Sequence, residues 1–316
     1  MDQTTRVIIS MAILYGALAA GYVARRQRPG LTAVTPKILR FALLFLDTPL
    51  MALIFWLMKR EQWTGAWKLP LIGFTLSTAL LLIGIAVARM MRLKRAEEGA
   101  FACGASISNI GFSFGGLLCL MILGVNGATL SQVYTLYLNP FAFMILFQVA
   151  AWYSGQVRPS GLVLGFFKDP VRSAPVAGMA AGVLMNLYGP PPPACLEAIV
   201  TVWVLVATAA YSFGIGGSVF VRKMREQVRP CLALGALKFI VTPLLAMALA
   251  SLFELTPLQR QVVFIVSMMP MAIFAVVIAG LTNLARDLAN SCWLFTTLAT
   301  LPLVIPIYLV VTRFIH

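Results

Sequence analysis

The sequence predicts an all-α polytopic membrane protein. Ten transmembrane helices form two inverted five-helix repeats, in which helices 4 and 9 are broken and cross. Three observations carry this prediction. Of 316 residues, 60% are hydrophobic and only 11% charged, whereas a soluble domain carries about a quarter charged residues. Ten apolar runs are each long enough for a bilayer core about 30 Å thick. Lysine and arginine are dense in every second loop and sparse in the others.

The ten runs are 7–24, 38–58, 69–88, 100–121, 128–152, 173–189, 195–221, 231–252, 261–282 and 289–312. They are continuous rather than alternating, which makes them helices and not barrel strands. The first has Arg6 before it and small residues at its end, as a secretory signal does. Its apolar stretch is long for a signal, and Arg25, Arg26 and Arg28 follow directly, so it reads as a retained span.

With the N-terminus outside, the cytoplasmic loops hold 17 of the 24 Lys and Arg residues and the outer side holds 6. Lys238 lies inside a span. This asymmetry places both termini outside, and one missed span would scramble it. The net charge of +14 is therefore an orientation signal, and no nucleic-acid partner is expected. The five cysteines form no C-x-x-C, and the single histidine is the terminal His316. Neither a disulfide framework nor a zinc site nor an imidazole-based enzyme is expected, and no cofactor is implied. Gly111-Phe-Ser113-Phe-Gly115 matches a nucleophile elbow by formula only, since that motif needs a triad histidine and a strand-to-helix turn. No phosphate-binding Walker pattern is present, so ATP is not the direct driver.

Internal similarity recurs at an offset of 161–165 residues. Asn139-Pro140 aligns with Leu301-Pro302, Pro49 with Gly214, and Asn109 with Pro270. Five spans per half is an odd number, so the second half enters the membrane upside down, as in secondary transporters. Span four crowds Ser106, Ser108, Asn109, Gly111 and Ser113 into its centre, and span nine has Pro270 at its centre. Asn109 lies about 16 Å of helix rise from the cytoplasmic Glu98, and Pro270 lies ten residues from the outer Arg260. Proline removes a donor and frees carbonyls, and such openings are tolerated only inside protein or around water. Two broken helices at equal depth, with half-helix N-termini offering free N–H groups, point to a site for an anion. The competing reading is close glycine packing with a benign proline kink.

Asp47 in span two and Lys238 in span eight are ionisable groups at about 13–15 Å depth. Such groups are functional candidates, Asp47 as a proton or cation coupling group and Lys238 as a counter-ion for an anionic substrate. The alternatives are that the two pair, or that Lys238 snorkels to the inner face. Asn139 and Tyr137 add polar groups in span five, where interhelical hydrogen bonding is an equal reading. Gly178-Met-Ala-Ala-Gly182 is a G-x-x-x-G helix contact, within the chain or at a dimer interface.

Several pieces taken in order resemble the auxin efflux carrier family. They are Asn109-x-Gly111 with Gly115-Gly116, Gly124-x-x-Gly127, Lys238-Phe-Ile-Val-Thr-Pro243, Met269-Pro270 with Val276-Val-Ile-Ala279, and Leu301-Pro302. The resemblance runs over essentially the whole chain. It implies a ten-helix fold related to bile-acid sodium symporters. A scaffold domain would comprise 1–66 and 154–227, and a transport domain 67–153 and 228–316. Ile110 and Gly111 follow Asn109 where plant members have a proline-rich element, and the stretch 153–172 is short. Both features place the chain nearer the compact prokaryotic members, which implies a bacterial inner membrane.

The expectation is thus an elevator-type secondary carrier of a small organic anion, a mono- or dicarboxylate or auxin-like acid. Its substrate would sit at Ser106, Ser108, Asn109, Gly111, Asn139, Met269, Pro270 and Ala272. H+ or Na+ is the candidate coupling ion, and a homodimer through the scaffold helices is the candidate assembly. A receptor or a channel on the same fold is the alternative. An enzyme is not expected, since Asp47 is the only mid-span carboxylate.

Overall fold

The computed structural model describes residues 3–28, 30–155, 170–217 and 224–313. Arg158, Lys168, Arg222 and Lys223, four of the expected cytoplasmic charges, lie outside the described residues, as does the end of the expected seventh span. In chain order the α-helices are α1 (Gln3–Gln27), α2 (Leu31–Phe41), α3 (Thr48–Trp56), α4 (Arg60–Trp63), α5 (Lys68–Met90) and α6 (Arg95–Ser106). They continue as α7 (Gly115–Thr135), α8 (Leu138–Phe141), α9 (Phe147–Ser154), α10 (Pro170–Tyr188) and α11 (Leu196–Gly216). The last five are α12 (Val228–Ala236), α13 (Thr242–Leu252), α14 (Pro257–Ser267), α15 (Ile273–Leu281) and α16 (Arg286–Arg313). Among the described residues, extended pairing is confined to one isolated bridge.

Three π-helical segments interrupt the regular winding. Ala42–Asp47 joins α2 to α3, Ala142–Leu146 joins α8 to α9, and Leu237–Val241 joins α12 to α13. Two of them share a cause. Thr48-Pro49 and Thr242-Pro243 follow the first and the third, and a proline inside a helix displaces the carbonyl four residues back. The preceding threonine hydroxyl closes the widened turn: Thr48 Oγ1 donates to Leu43 O at 3.0 Å, and Thr242 Oγ1 to Leu237 O at 2.7 Å. Each widened turn carries one of the two ionisable groups noted above, Asp47 or Lys238.

Among the described residues, six stretches are long and apolar enough to cross a membrane: Thr5–Gln27, Lys37–Trp56, Lys68–Met90, Gly115–Ser154, Leu196–Gly216 and Val228–Leu252. Arg286–Val304 with Pro306–Arg313 makes a seventh if that bent pair is one span. The sequence reading expects ten. Part of the difference is physical. α6, α14 and α15 have 12, 11 and 9 residues, and none alone reaches across about 30 Å at 1.5 Å per residue. The expected boundary between spans four and five also moves. α7 is continuous from Gly115 to Thr135 except at Gly124, whose φ of 72° only glycine adopts readily.

The chain divides into two compact units. The first comprises Met1–Thr64, Gly111–Gln132 and Val163–Val219, and the second Gly65–Ile110, Val133–Leu162 and Phe220–His316. Within the stretch 67–153, Gly111–Gln132 groups with the first unit. The chain leaves its helical path after Ser106, and the segment beyond Ile110 is tied to first-unit residues. Thr208 Oγ1 donates to Phe112 O at 2.8 Å, and Gln62 Nε2 to Asn126 O at 3.4 Å.

Glycine sets the packing of the first unit. A Cβ on Gly178 or Gly182 of α10 would overlap the carbonyl oxygens of Thr48 and Ala52 in α3. The G-x-x-x-G pair is therefore a contact within the chain. A Cβ on Gly21 of α1 or Gly216 of α11 would likewise overlap Phe213 O or Leu18 O. Small residues let backbones approach in lipid, where helix association has no hydrophobic drive. Asn186 Nδ2 then donates to Trp56 O and Met58 O at 2.8 and 2.6 Å, satisfying carbonyls at the end of α3.

In the second unit, α5 and α6 close on each other at Gly84, where an added Cβ would lie 2.8 Å from Ala105 Cβ. Their polar ends are joined by Arg89 Nε donating to Glu98 at 2.8 Å, and Tyr153 of α9 donates to the same carboxylate. Arg95 donates to Trp152 O at 2.7 Å and lies over the Trp152 ring.

The glycine contacts make a direct prediction. Gly178→Val forces α10 off α3 and lowers stability by about 1–3 kcal/mol, the usual cost of overpacking. Thermal unfolding in detergent will show it as a lower midpoint. Gly16→Ala, where an added Cβ meets nothing within 4 Å, leaves the midpoint unchanged or raises it.

Candidate functional site

α6 ends at Ser106 because the next residues favour other conformations. Ser106, Ser108 and Asn109 offer side chains that compete with backbone hydrogen bonding, and β-branched Ile107 is extended, at φ −118° and ψ 139°. α14 ends at Ser267 for a different reason. Pro270 has no N–H and disfavours helical geometry in Met269. The chain restarts as α15 with Ala272 as an extended N-cap, at ψ 136°.

The two interruptions meet. Ser108 and Met271 form an isolated antiparallel bridge. Asn109 N donates to Pro270 O at 2.8 Å, and Ala272 N to Ile107 O at 3.2 Å. Met271 N is taken by Thr296 Oγ1 of α16 at 3.2 Å. Groups that the broken helices would leave unpaired are thus satisfied by each other. Irregular backbone at membrane depth requires this.

Lys238 completes the arrangement. Its side chain is fully buried, at 0% exposure. Nζ donates to Ala105 O at 2.8 Å, Ile107 O at 2.9 Å and Ser108 Oγ at 3.0 Å. It does not snorkel to a surface. The ammonium sits at the C-terminal end of α6, where the helix dipole favours a cation. Among the described residues the ion pair is Arg89–Glu98, so no carboxylate partners Lys238 there.

Beside this knot is an enclosed cavity with room for about one water molecule. Ser106, Ser108, Ser267 and Thr242 line it, together with Ser77 of α5 and Tyr137, and apolar walls include Leu76, Leu80 and Val266. Ser77 Oγ donates to Tyr137 Oη at 2.9 Å. Hydroxyls set in an apolar shell, with a positive end close by, suit a small polar or anionic group.

The sequence-derived residues separate in space. Ser106, Ser108, Met269, Pro270 and Ala272 gather at the knot, all buried. Asn109 contributes its main-chain N–H and is half-buried. Asn139 is exposed and does not line the cavity. Tyr137, two residues earlier, lies in the cavity instead. Gly111 belongs to the first unit and opens the turn into α7, accepting from Phe114 N and Gly116 N. Ser77, Thr242, Ser267 and Thr296 join the site beyond the residues expected from the sequence. Thr242 lies inside the Lys238–Pro243 motif and Ser267 three residues before Pro270, so proximity to a breaker was the available signal. Ser77 and Thr296 stand beside other hydroxyls, Thr78 and Thr297, in largely apolar runs, and nothing in the sequence distinguishes them from structural ones.

Asp47 lies in the first unit at the end of its π-helical turn. It interacts with Tyr211 of α11. Even so, Asp47 Oδ1 and the Tyr211 hydroxyl are both buried without a hydrogen bond of standard geometry. Trp203 Nε1 takes the adjacent Leu46 O at 3.0 Å. No group of three or more His, Cys, Asp or Glu side chains that could hold a metal occurs among the described residues.

No curated protein matches the chain. Residues 164–309, less than half of the chain, match the model of a family described as membrane transport protein. The matched stretch includes Lys238 and the whole α14–α15 interruption. With six helices among the described residues long and apolar enough to cross a bilayer, the match supports a multi-pass membrane protein and implies a membrane transporter.

Proposed function

We propose that the protein is a secondary active transporter of a small organic anion, held where the two interrupted helices meet. The observation that carries this reading is the Ser108–Met271 bridge with its flanking hydrogen bonds. It brings two broken segments to one point, beside a hydroxyl-lined cavity and a buried ammonium. Transporters commonly build their sites from discontinuous helices in this way. A mono- or dicarboxylate, or an auxin-like acid, fits the chemistry: hydroxyls around the cavity, and positive charge close by.

The reading includes ten membrane crossings in two inverted repeats, the interrupted helices being the fourth and ninth. Elevator-type movement of a transport domain, both termini outside, a bacterial inner membrane and a homodimer through scaffold helices belong to the same proposal. H+ or Na+ is its coupling ion, with Asp47 the coupling candidate. The cavity admits about one water, so the described conformation is closed around the site. A closed site fits a carrier, which occludes its substrate, better than an open pore.

Two outcomes test this. Asn109→Ala keeps the main-chain bond to Pro270 O but removes the amide. Uptake of labelled dicarboxylate or indole-acetate into proteoliposomes falls about tenfold, equivalent to one lost hydrogen bond of about 1.4 kcal/mol; unchanged uptake removes the residue from the site. A receptor would bind these acids without any flux. Asp47→Asn changes how flux depends on pH or on sodium, and superimposable profiles for mutant and wild type would end its coupling role.

A further inference from the structure

Lys238 is an unusual occupant of its position. Three oxygens converge on Nζ within 3.0 Å: two carbonyls at the end of α6 and one serine hydroxyl. An ammonium has three N–H donors, so all three are used. Carbonyls of unwound backbone at the C-terminal end of a half-helix are what transporters use to coordinate Na+ or a proton. An all-oxygen set of this kind suits a hard monovalent cation. Here a tethered cation already fills it.

The geometry is built rather than incidental. The π-helical segment Leu237–Val241 adds to the winding between α12 and α13, and Thr242 Oγ1 locks it onto Leu237 O. One residue of α-helix corresponds to about 100° of rotation, so the widened turn sets the direction in which Lys238 leaves its helix. That direction is inward, to the end of α6, and the side chain is fully buried.

We propose that Lys238 is a built-in substitute for a coupling cation. The three-oxygen pocket of Ala105, Ile107 and Ser108 is a monovalent-cation site that the chain occupies with its own ammonium. The protein therefore needs no free Na+ at this position. Removing the side chain opens a vacancy that Na+ or a small primary ammonium can enter. The consequence for coupling rests on the transport reading above, whereas the existence of the pocket does not. Lys238 thereby acts on the substrate through Ser108, which faces the cavity, rather than as a free counter-ion.

The test reads stability of the purified full-length protein in detergent, with no substrate added. At equal ionic strength, Asp47→Asn, which removes the other candidate cation group, has the same thermal midpoint in sodium, potassium and choline chloride. Lys238→Ala unfolds at a midpoint lower by about 5 °C or more, as loss of a buried charged partner implies. Ethylammonium or Na+ restores it saturably, and tetramethylammonium does not. Lys238→Met, which keeps most of the stem, is the second variant. A saturable stabilisation of Asp47→Asn by Na+ over potassium and choline overturns the proposal. So do folded variants that answer to no cation. If neither variant folds, the Asp47→Asn comparison decides: indifference to Na+ supports the proposal and specific stabilisation ends it. Uptake unaffected by Asn109→Ala would remove the transport reading but leave these melting results intact, so the two failures are distinguishable.

Discussion

Everything at the centre of the second unit depends on one requirement: backbone polar groups away from water must find partners. A continuous helix meets it by itself. α6 and α14 do not, because each stops partway, one at a cluster of serines and asparagine and the other before a proline. The solution is mutual. Asn109 N pairs with Pro270 O, and Ala272 N with Ile107 O, so each break supplies what the other lacks. Pro270 suits the role, since a residue with no donor can still accept. Lys238 then takes two further oxygens at the end of α6. The polar groups that remain, hydroxyls above all, face a cavity.

The π-helical segments show the same requirement met locally. Asp47 and Lys238 each sit in a widened turn followed by Thr-Pro. The proline forces the widening and the threonine hydroxyl repairs it. Around Asp47, the Trp203 indole takes one more carbonyl. A widened turn gives a buried ionisable side chain a direction that regular winding would not, and π-bulges are frequent at functional sites for this reason. The two units share the device but use it differently. Lys238 is fully hydrogen-bonded, whereas Asp47 keeps a buried oxygen without such a bond.

Much was legible in the chain itself. Its low charge and long apolar runs required a membrane, since about 20 apolar residues in a helix match the bilayer core. The breaks at Asn109 and Pro270 were legible because serine, asparagine, glycine and proline each disfavour helix for a stated local reason. Lys238 and Asp47 stood out because a charge in an apolar run is costly. The glycines of α10 were visible as a contact face.

Partners were not legible. Nothing local says that Gly178 and Gly182 rest on the carbonyls of α3, that Lys238 faces the end of α6, or that Tyr137 rather than Asn139 enters the cavity. Nor does local pattern place Gly111–Gln132 with the first unit. Hydrophobic patterning reports which residues avoid water and which disrupt a helix, and both are properties of neighbours in sequence. Which broken helix meets which, and which hydroxyls end up around one cavity, depends on contacts between residues far apart in the chain. In this protein the chain alone determined where helices must fail, and only tertiary packing decided how those failures are matched into a site.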